Sequence, residues 1–297
     1  MTVIRGAARL VVDSSDSLLS HLPDGVAAEL RGPLLRMDRL CALSVVAVAR
    51  LLSAHPPLRS DVNGDDVAIV IGTAHGCHKT DEEYYLSYLQ GQPSPRLFAY
   101  TLPSSPIGEL SIFYRLRGPG LALCVGRASG LVALAEAETL LQTGQAAACV
   151  VLAVEVSGPA LSPVQLSDAA VALWLTADRD GIDPALPRLV SAAESFIPDD
   201  PTTALARALA SQPGGEVCCD GETARLAGAA LDDRAVVADV PDGSVAGLWR
   251  LVDVLSETGS GLLRACSVAV ARIFRQSGQS INAHRKQPTL LRRGRRS

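Results

Sequence analysis

Between Pro103 and Glu155 the chain reads as helix, tight turn, apolar strand, sharp junction, apolar helix, turn and apolar strand. Gly118-Pro119-Gly120 marks the first turn by composition. Leu121 to Val125 is a short apolar run bounded by glycines, the pattern of a strand covered on both faces. Gly126 to Gly130 form the junction. Leu131 to Thr143 follow as helix formers with apolar residues nearly all round, and Gly144 stands where a helix C-cap belongs. Ala148 to Val154 is the second apolar strand. Such a β-α-β unit predicts two parallel neighbouring strands with the helix packed across them. A chain organised around it is α/β. Its 297 residues are 48% hydrophobic but only 4% aromatic, so the core must be built largely from Ala, Val and Leu.

The flanking segments extend this pattern. Arg36 to Ala54 carries Leu40, Leu43, Ala47, Val48 and Leu51 at helical spacing, and His55-Pro56-Pro57 ends the helix. Val67 to Gly72 reads as a buried strand, Val3 to Val12 as a first strand, and Ser17 to Leu30 as helical with a break at Pro23. Asp81 to Leu89 predicts a short helix with three tyrosines; His78, Glu82, Tyr85 and Leu89 fall on one face, Tyr84 and Tyr88 on another. Gln92 to Pro106 contains four prolines and predicts an extended loop before a helix over Ile107 to Tyr114. Ser167 to Leu175 is a further strand. Beyond Pro184 the elements shorten: a helix over Thr202 to Ser211, and a short strand over Glu216 to Cys219.

Charge and cysteine usage narrow the class. A net charge of −4 gives no argument for nucleic acid or anionic membrane as a partner. Seven cysteines, an odd number without framework spacing, indicate reduced thiols and a cytoplasmic setting. Arg5 and Arg9 interrupt any signal-peptide core, and no apolar run reaches membrane-spanning length. His75, Cys77 and His78 could surround a metal ion, but a fourth ligand is not evident, so no metal is expected. No cofactor is implied. From Gln276 to Ser297 the chain carries six Lys/Arg and no acidic residue, which predicts a disordered, solvated tail, with an acidic partner as the other reading.

The segment around the junction resembles the nucleophile region of the β-ketoacyl synthases of the thiolase superfamily. Leu116-Arg117-Gly118-Pro119 matches the family's turn, and Ala128-Ser129-Gly130 matches the end of its Ala-Cys-Ala-Ser-Gly junction. Leu35 to Leu40 with the Ala/Val-rich helix after it, Val70-Ile71-Gly72-Thr73-Ala74, and Ser167-Asp168-Ala169-Ala170 fit as well. The resemblance covers about Arg31 to Asp180. It implies a layered αβαβα thiolase-like fold: a ketosynthase-like N-terminal half over 1–180, an abbreviated C-terminal half over 181–275, and the basic tail over 276–297.

The family's cysteine falls on Arg127, which stays protonated and is no nucleophile. Cys124, three residues earlier, should be a small buried hydrophobe. A cation at a helix N-terminus is disfavoured unless paired, so Arg127 should turn away or meet a carboxylate, with Glu155 and Asp220 as candidates. The family's two histidines fall on Asp220 and Ser244 through weak matches, and no histidine lies between residues 79 and 283. Those histidines polarise the thioester carbonyl and assist decarboxylation. The resemblance therefore implies a subunit that is not catalytic by itself. It would be a chain length factor that pairs with an active ketosynthase and meets the acyl carrier protein through that complex, within a β-ketoacyl synthase assembly for polyketide or polyene synthesis. In such a subunit, Leu121, Leu123 and Val125 lie at the dimer interface. Tyr85, Leu89, His78 and Glu82 border the acyl tunnel and set chain length. The other readings are a stand-alone thiolase-fold acyltransferase or decarboxylase with a substituted nucleophile, which needs an acid–base group near Arg127, and a degenerate synthase remnant.

Overall fold

The structure is a computed structural model and describes residues 2–59, 63–158, 167–177, 188–197, 217–219, 235–237, 245, 248–249, 251–252 and 266–273. In chain order the elements are β1 (Thr2–Asp13), α1 (Ala27–Leu34), α2 (Arg39–Ala54), β2 (Val67–Gly72) and α3 (His78–Leu89). They continue with α4 (Pro95–Phe98), α5 (Ser105–Tyr114), β3 (Gly120–Leu123), α6 (Ser129–Gln142), β4 (Ala148–Glu155) and β5 (Ser167–Ala177). Four further strands follow: β6 (Arg188–Ile197), β7 (Val217–Cys219), β8 (Ala235–Val237) and β9 (Cys266–Ile273).

A seven-stranded sheet runs in the order β3-β2-β4-β5-β1-β6-β9, and β7 and β8 form a separate parallel pair. The α/β class read from the sequence is the observed one. One expectation changes. β3 and β4 are parallel, but they are not neighbours, because β2 lies between them and pairs with both. β2 is buried along its whole length and takes the position an apolar run demands. β3 is thereby left at the sheet edge, and its residues are half-buried to exposed rather than covered on both faces.

Alternate residues divide the core. Val67, Ile69 and Ile71 of β2, with Val150 and Leu152 of β4, pack against Leu40, Leu43 and Leu51 of α2 and Leu110 of α5. Ala68, Val70, Cys149 and Val151 point to the other face, against Val132, Leu134 and Leu141 of α6. This is the period of two expected of strands with helices on both sides. α6 touches β2 and β4 and also β6 and β9, which accounts for the apolar residues nearly all round it. Val245, Leu248, Leu251 and Val252 join the same cluster. The helix over Thr202 to Ser211 and the tail from Gln276 lie outside the described residues, as does most of the half expected to be abbreviated.

Local chemistry sets the boundaries. Asp38 caps α2 by accepting the Cys41 N–H at 3.0 Å, so the helix begins at Arg39 rather than Arg36. Such a cap typically contributes about 1 kcal/mol. The second Asp38 oxygen accepts Thr80 Oγ1 at 2.7 Å and ties α3 to α2. Ser94 caps α4, which puts a helical turn inside the proline-rich loop. Gly118 is required by close approach: a Cβ there would lie 2.5 Å from the Val67 carbonyl oxygen.

Candidate functional site

Three parallel strand ends converge at Gly72, Leu123 and Glu155, and the start of α6 abuts them. A Cβ at Gly72 would sit 2.2 Å from the Ser129 carbonyl oxygen, so only glycine lets α6 come this close. Between β3 and α6 the chain turns through Gly126 with φ at 72°. Ser129 Oγ accepts the Val125 N–H at 2.9 Å and donates to the Gly126 carbonyl at 2.6 Å, so the junction is braced by its own serine. Arg127 lies in this turn, exposed, immediately ahead of α6.

The register of β2 and β4 pairs Gly72 with Ala153, which sets Glu155 level with residue 74. The Glu155 side chain is wholly buried. Its Oε1 accepts a short hydrogen bond from the Ala74 N–H, and its Oε2 lies 3.1 Å from His75 Nδ1. That hydrogen bond raises the His75 pKa above its ordinary value, while partial burial and the nearby Arg127 charge pull it down. Arg127 is thus within electrostatic reach of His75. The loop turns through Gly76, whose N–H donates to Thr73 Oγ1 at 3.0 Å.

Cys124 is exposed, contrary to the expectation of a buried thiol, and lies just beyond the end of the edge strand β3. Partial desolvation of the sulfur and the negative Glu155 raise its pKa. It therefore lacks the thiolate character of a nucleophile. The buried thiols of Cys41 and Cys149 are pushed up by burial, and Cys77, which donates to Asp81, to about 12. Among the described residues no group of three His, Cys, Asp or Glu could hold a metal ion. His75 is engaged by Glu155, and His78 is exposed at the first position of α3.

The other site residues are distributed as follows. Tyr85 and Leu89 are exposed at 59% and 61%, and Tyr88 is equally exposed at 60%. Tyr84 is half-buried and packs on Phe98 with ring centroids 5.4 Å apart. Tyr84 and Tyr88 therefore do not share one environment. Ser87 Oγ accepts the Ser94 N–H and draws α4 over Tyr84, leaving the last turn of α3 uncovered. Glu82 is half-buried, with Oε2 enclosed and without a hydrogen-bond partner among the described residues. Leu121, Leu123 and Val125 are half-buried at the edge strand. Asp220 and Ser244 lie outside the described residues. The pairing of His75 with Glu155 was not anticipated, although a carboxylate ending an otherwise apolar buried strand signals that it must find a donor.

No curated protein sequence matches the chain. Among solved structures, it superposes on the ishigamide ketosynthase/chain length factor with TM-score 0.66 at 20% identity, over 86% of this chain and 90% of that one. A type II polyketide ketosynthase structure, AntDE with the acyl-carrier protein AntF, gives TM-score 0.64 at 16% identity, over 86% and 91%. A β-ketoacyl synthase from Burkholderia phymatum STM815 gives 0.59 at 13% identity, over 92% of each chain. These likenesses show the fold to be the thiolase-like one of the ketosynthases. The model of the β-ketoacyl synthase N-terminal domain matches residues 28–180, just over half of the sequence, and the chain belongs to that family.

Proposed function

We propose that this chain is a noncatalytic ketosynthase-like subunit, of the chain length factor type, that pairs with an active ketosynthase and borders its acyl tunnel. The observation that carries the reading is Arg127, a cation in the turn ahead of a well-formed α6, at the position that the resemblance assigns to the family's nucleophile. A protonated guanidinium forms no thioester. The scaffold is retained and the nucleophile is not, which suits a partner better than an enzyme.

The exposed features suit the same role. β3 is an edge strand, and among the described residues no strand pairs with its outer side. Ile69 N–H and Thr73 N–H bond to the carbonyls of Pro119 and Leu123, so by alternation the backbone groups of Ala122 face outward. An open edge is a template for another chain. On α3 and α4, Tyr85, Leu86, Tyr88, Leu89 and Phe98 are exposed apolar residues of the kind that a partner covers. Like the ketosynthase/chain length factor and the ketosynthase–carrier protein assemblies it resembles, the chain would meet the acyl carrier protein through the pair. The reading as a stand-alone acyltransferase or decarboxylase has an acid–base pair in His75 and Glu155, but the Cys124 thiol beyond β3 is not activated, its pKa being raised.

Co-expression with a ketosynthase that retains its cysteine and both histidines tests the pairing. Light scattering on the purified material should give a one-to-one heterodimer, with an interface on the order of 2,000 Å² or more. Ala122→Pro removes an outward N–H and should abolish the pair while leaving the β2–β3 bonds intact. A soluble, unassociated monomer of this chain would defeat the proposal.

A further inference from the structure

We infer that α3 and α4 form a strap, residues 78–98, which opens and closes without unfolding of the core and is latched by the hydrogen bond between Thr80 and buried Asp38. This inference does not rest on the partner-subunit reading, because strap and latch both belong to this chain.

Three observations lead to it. The first is that α3 is packed inside out. A surface helix is ordinarily held by an apolar stripe turned to the core. Here the covered side carries Thr80, Asp81, Tyr84 and Ser87, while Tyr85, Leu86, Tyr88 and Leu89 are exposed. Thr80 is the one buried residue of α3, and α4 has none. A helix that puts no aliphatic side chain into the core gains little from staying docked. The second is that the strap's own contacts close on themselves. Lys79 Nζ pairs with Glu83 Oε1 at 3.0 Å, the Ser94 N–H donates to Ser87 Oγ at 3.2 Å, and Tyr84 packs on Phe98. Among the described residues, Thr80 Oγ1 to Asp38 Oδ2, at 2.7 Å, is the one side-chain hydrogen bond that joins the strap to the rest of the chain's helices and strands. The third is that the strap lies between fixed points. Cys77 before it is buried, and Tyr100 after it packs against the core and donates to Glu109 Oε1 at 2.9 Å.

The latch sets the balance. Asp38 divides its carboxylate: Oδ1 caps α2 through the Cys41 N–H, and Oδ2 takes Thr80. When the strap opens, water reaches Oδ2 and the α2 cap stays intact. Opening therefore costs one hydrogen bond to a charged group and little apolar burial. A surface that covers Tyr85 and Leu89 in the closed form holds the strap shut. Order in the strap and occupancy of its outer face are then one equilibrium.

The test is native-state amide exchange of the full chain, read by mass spectrometry in increasing urea below the unfolding transition. The hydrogen-bonded amides of α3 should exchange at least about tenfold faster than those of α2 and β4. Their rate should also depend only weakly on urea, because local opening exposes little surface. Thr80→Val keeps the shape of the side chain and removes the hydroxyl. It should speed exchange in α3 by about tenfold or more, with the urea dependence still shallow. If Thr80→Val fails to fold, the wild-type urea series decides. Amides of α3 that share the rate and urea dependence of β4 would show that the strap opens only with the whole chain, and would overturn the inference. Unchanged exchange in Thr80→Val would overturn the latch.

Discussion

His75 Nδ1 lies 3.1 Å from Glu155 Oε2, and these two residues, 80 apart in sequence, join the loop after β2 to the end of β4. The pair is stabilised when the imidazole is protonated. Because folding raises the His75 pKa above 6.5, its contribution is complete below the unfolded value. It is then lost as the pH rises through the folded pKa. The melting-temperature difference between wild type and His75→Gln should therefore be largest near pH 6 and shrink by pH 9. A difference independent of pH would show that the pair does not act through protonation.

Asp168 anchors a second link between distant segments. It accepts Arg39 Nε at 2.6 Å and the Ser157 N–H at 2.8 Å, and its side chain is fully buried. Asp168→Ala strands the Ser157 amide and takes the carboxylate from a partly buried guanidinium that keeps only the Asp13 and Asp16 carbonyls, and breaking a buried pair from one side costs about 3–5 kcal/mol. Urea denaturation should register a loss of roughly that size. A change below about 1 kcal/mol would mean solvent replaces the bonds freely.

The tyrosines of α3 should separate by role. Tyr84 packs against Phe98, and an aromatic pair contributes about 0.5–1.5 kcal/mol beyond its buried area, so Tyr84→Ala should lower the melting temperature. Tyr85 and Leu89 are exposed, so Tyr85→Ala should leave stability unchanged and lengthen the products of an active complex. Overfilling a packed tunnel costs about 1–3 kcal/mol, enough to divert flux by roughly tenfold. Unchanged product length in Tyr85→Ala and Leu89→Ala would remove this helix from the gate.

Much of this was legible in the residues, for physical reasons. The strand over Val67 to Gly72 is an uninterrupted apolar run that ends in glycine, and its observed bounds are the expected ones. The helix before His55 ends where two prolines forbid its continuation. Strand order was not legible, because periodicity says which residues are buried but not which strand lies beside which. β2 therefore entered between β3 and β4 unforeseen, and that one insertion left β3 at the sheet edge. At the site, Arg127 was identified through the motif around it. The His75–Glu155 contact depends on the register of β2 against β4, which no local pattern encodes.

The central claim is that this chain completes a synthase without performing its chemistry, and reconstituted condensation tests it most directly. Three reactions with malonyl carrier protein would be compared by mass spectrometry: this chain alone, the ketosynthase alone, and the two together. Extended products should appear only when both are present. This chain alone, including Arg127→Cys, should neither condense nor decarboxylate, because no histidine lies between residues 79 and 283, where the resemblance puts the family's two, and His75 is tied through Nδ1 to Glu155. Turnover of malonyl carrier protein above background by the isolated wild-type chain would contradict the account.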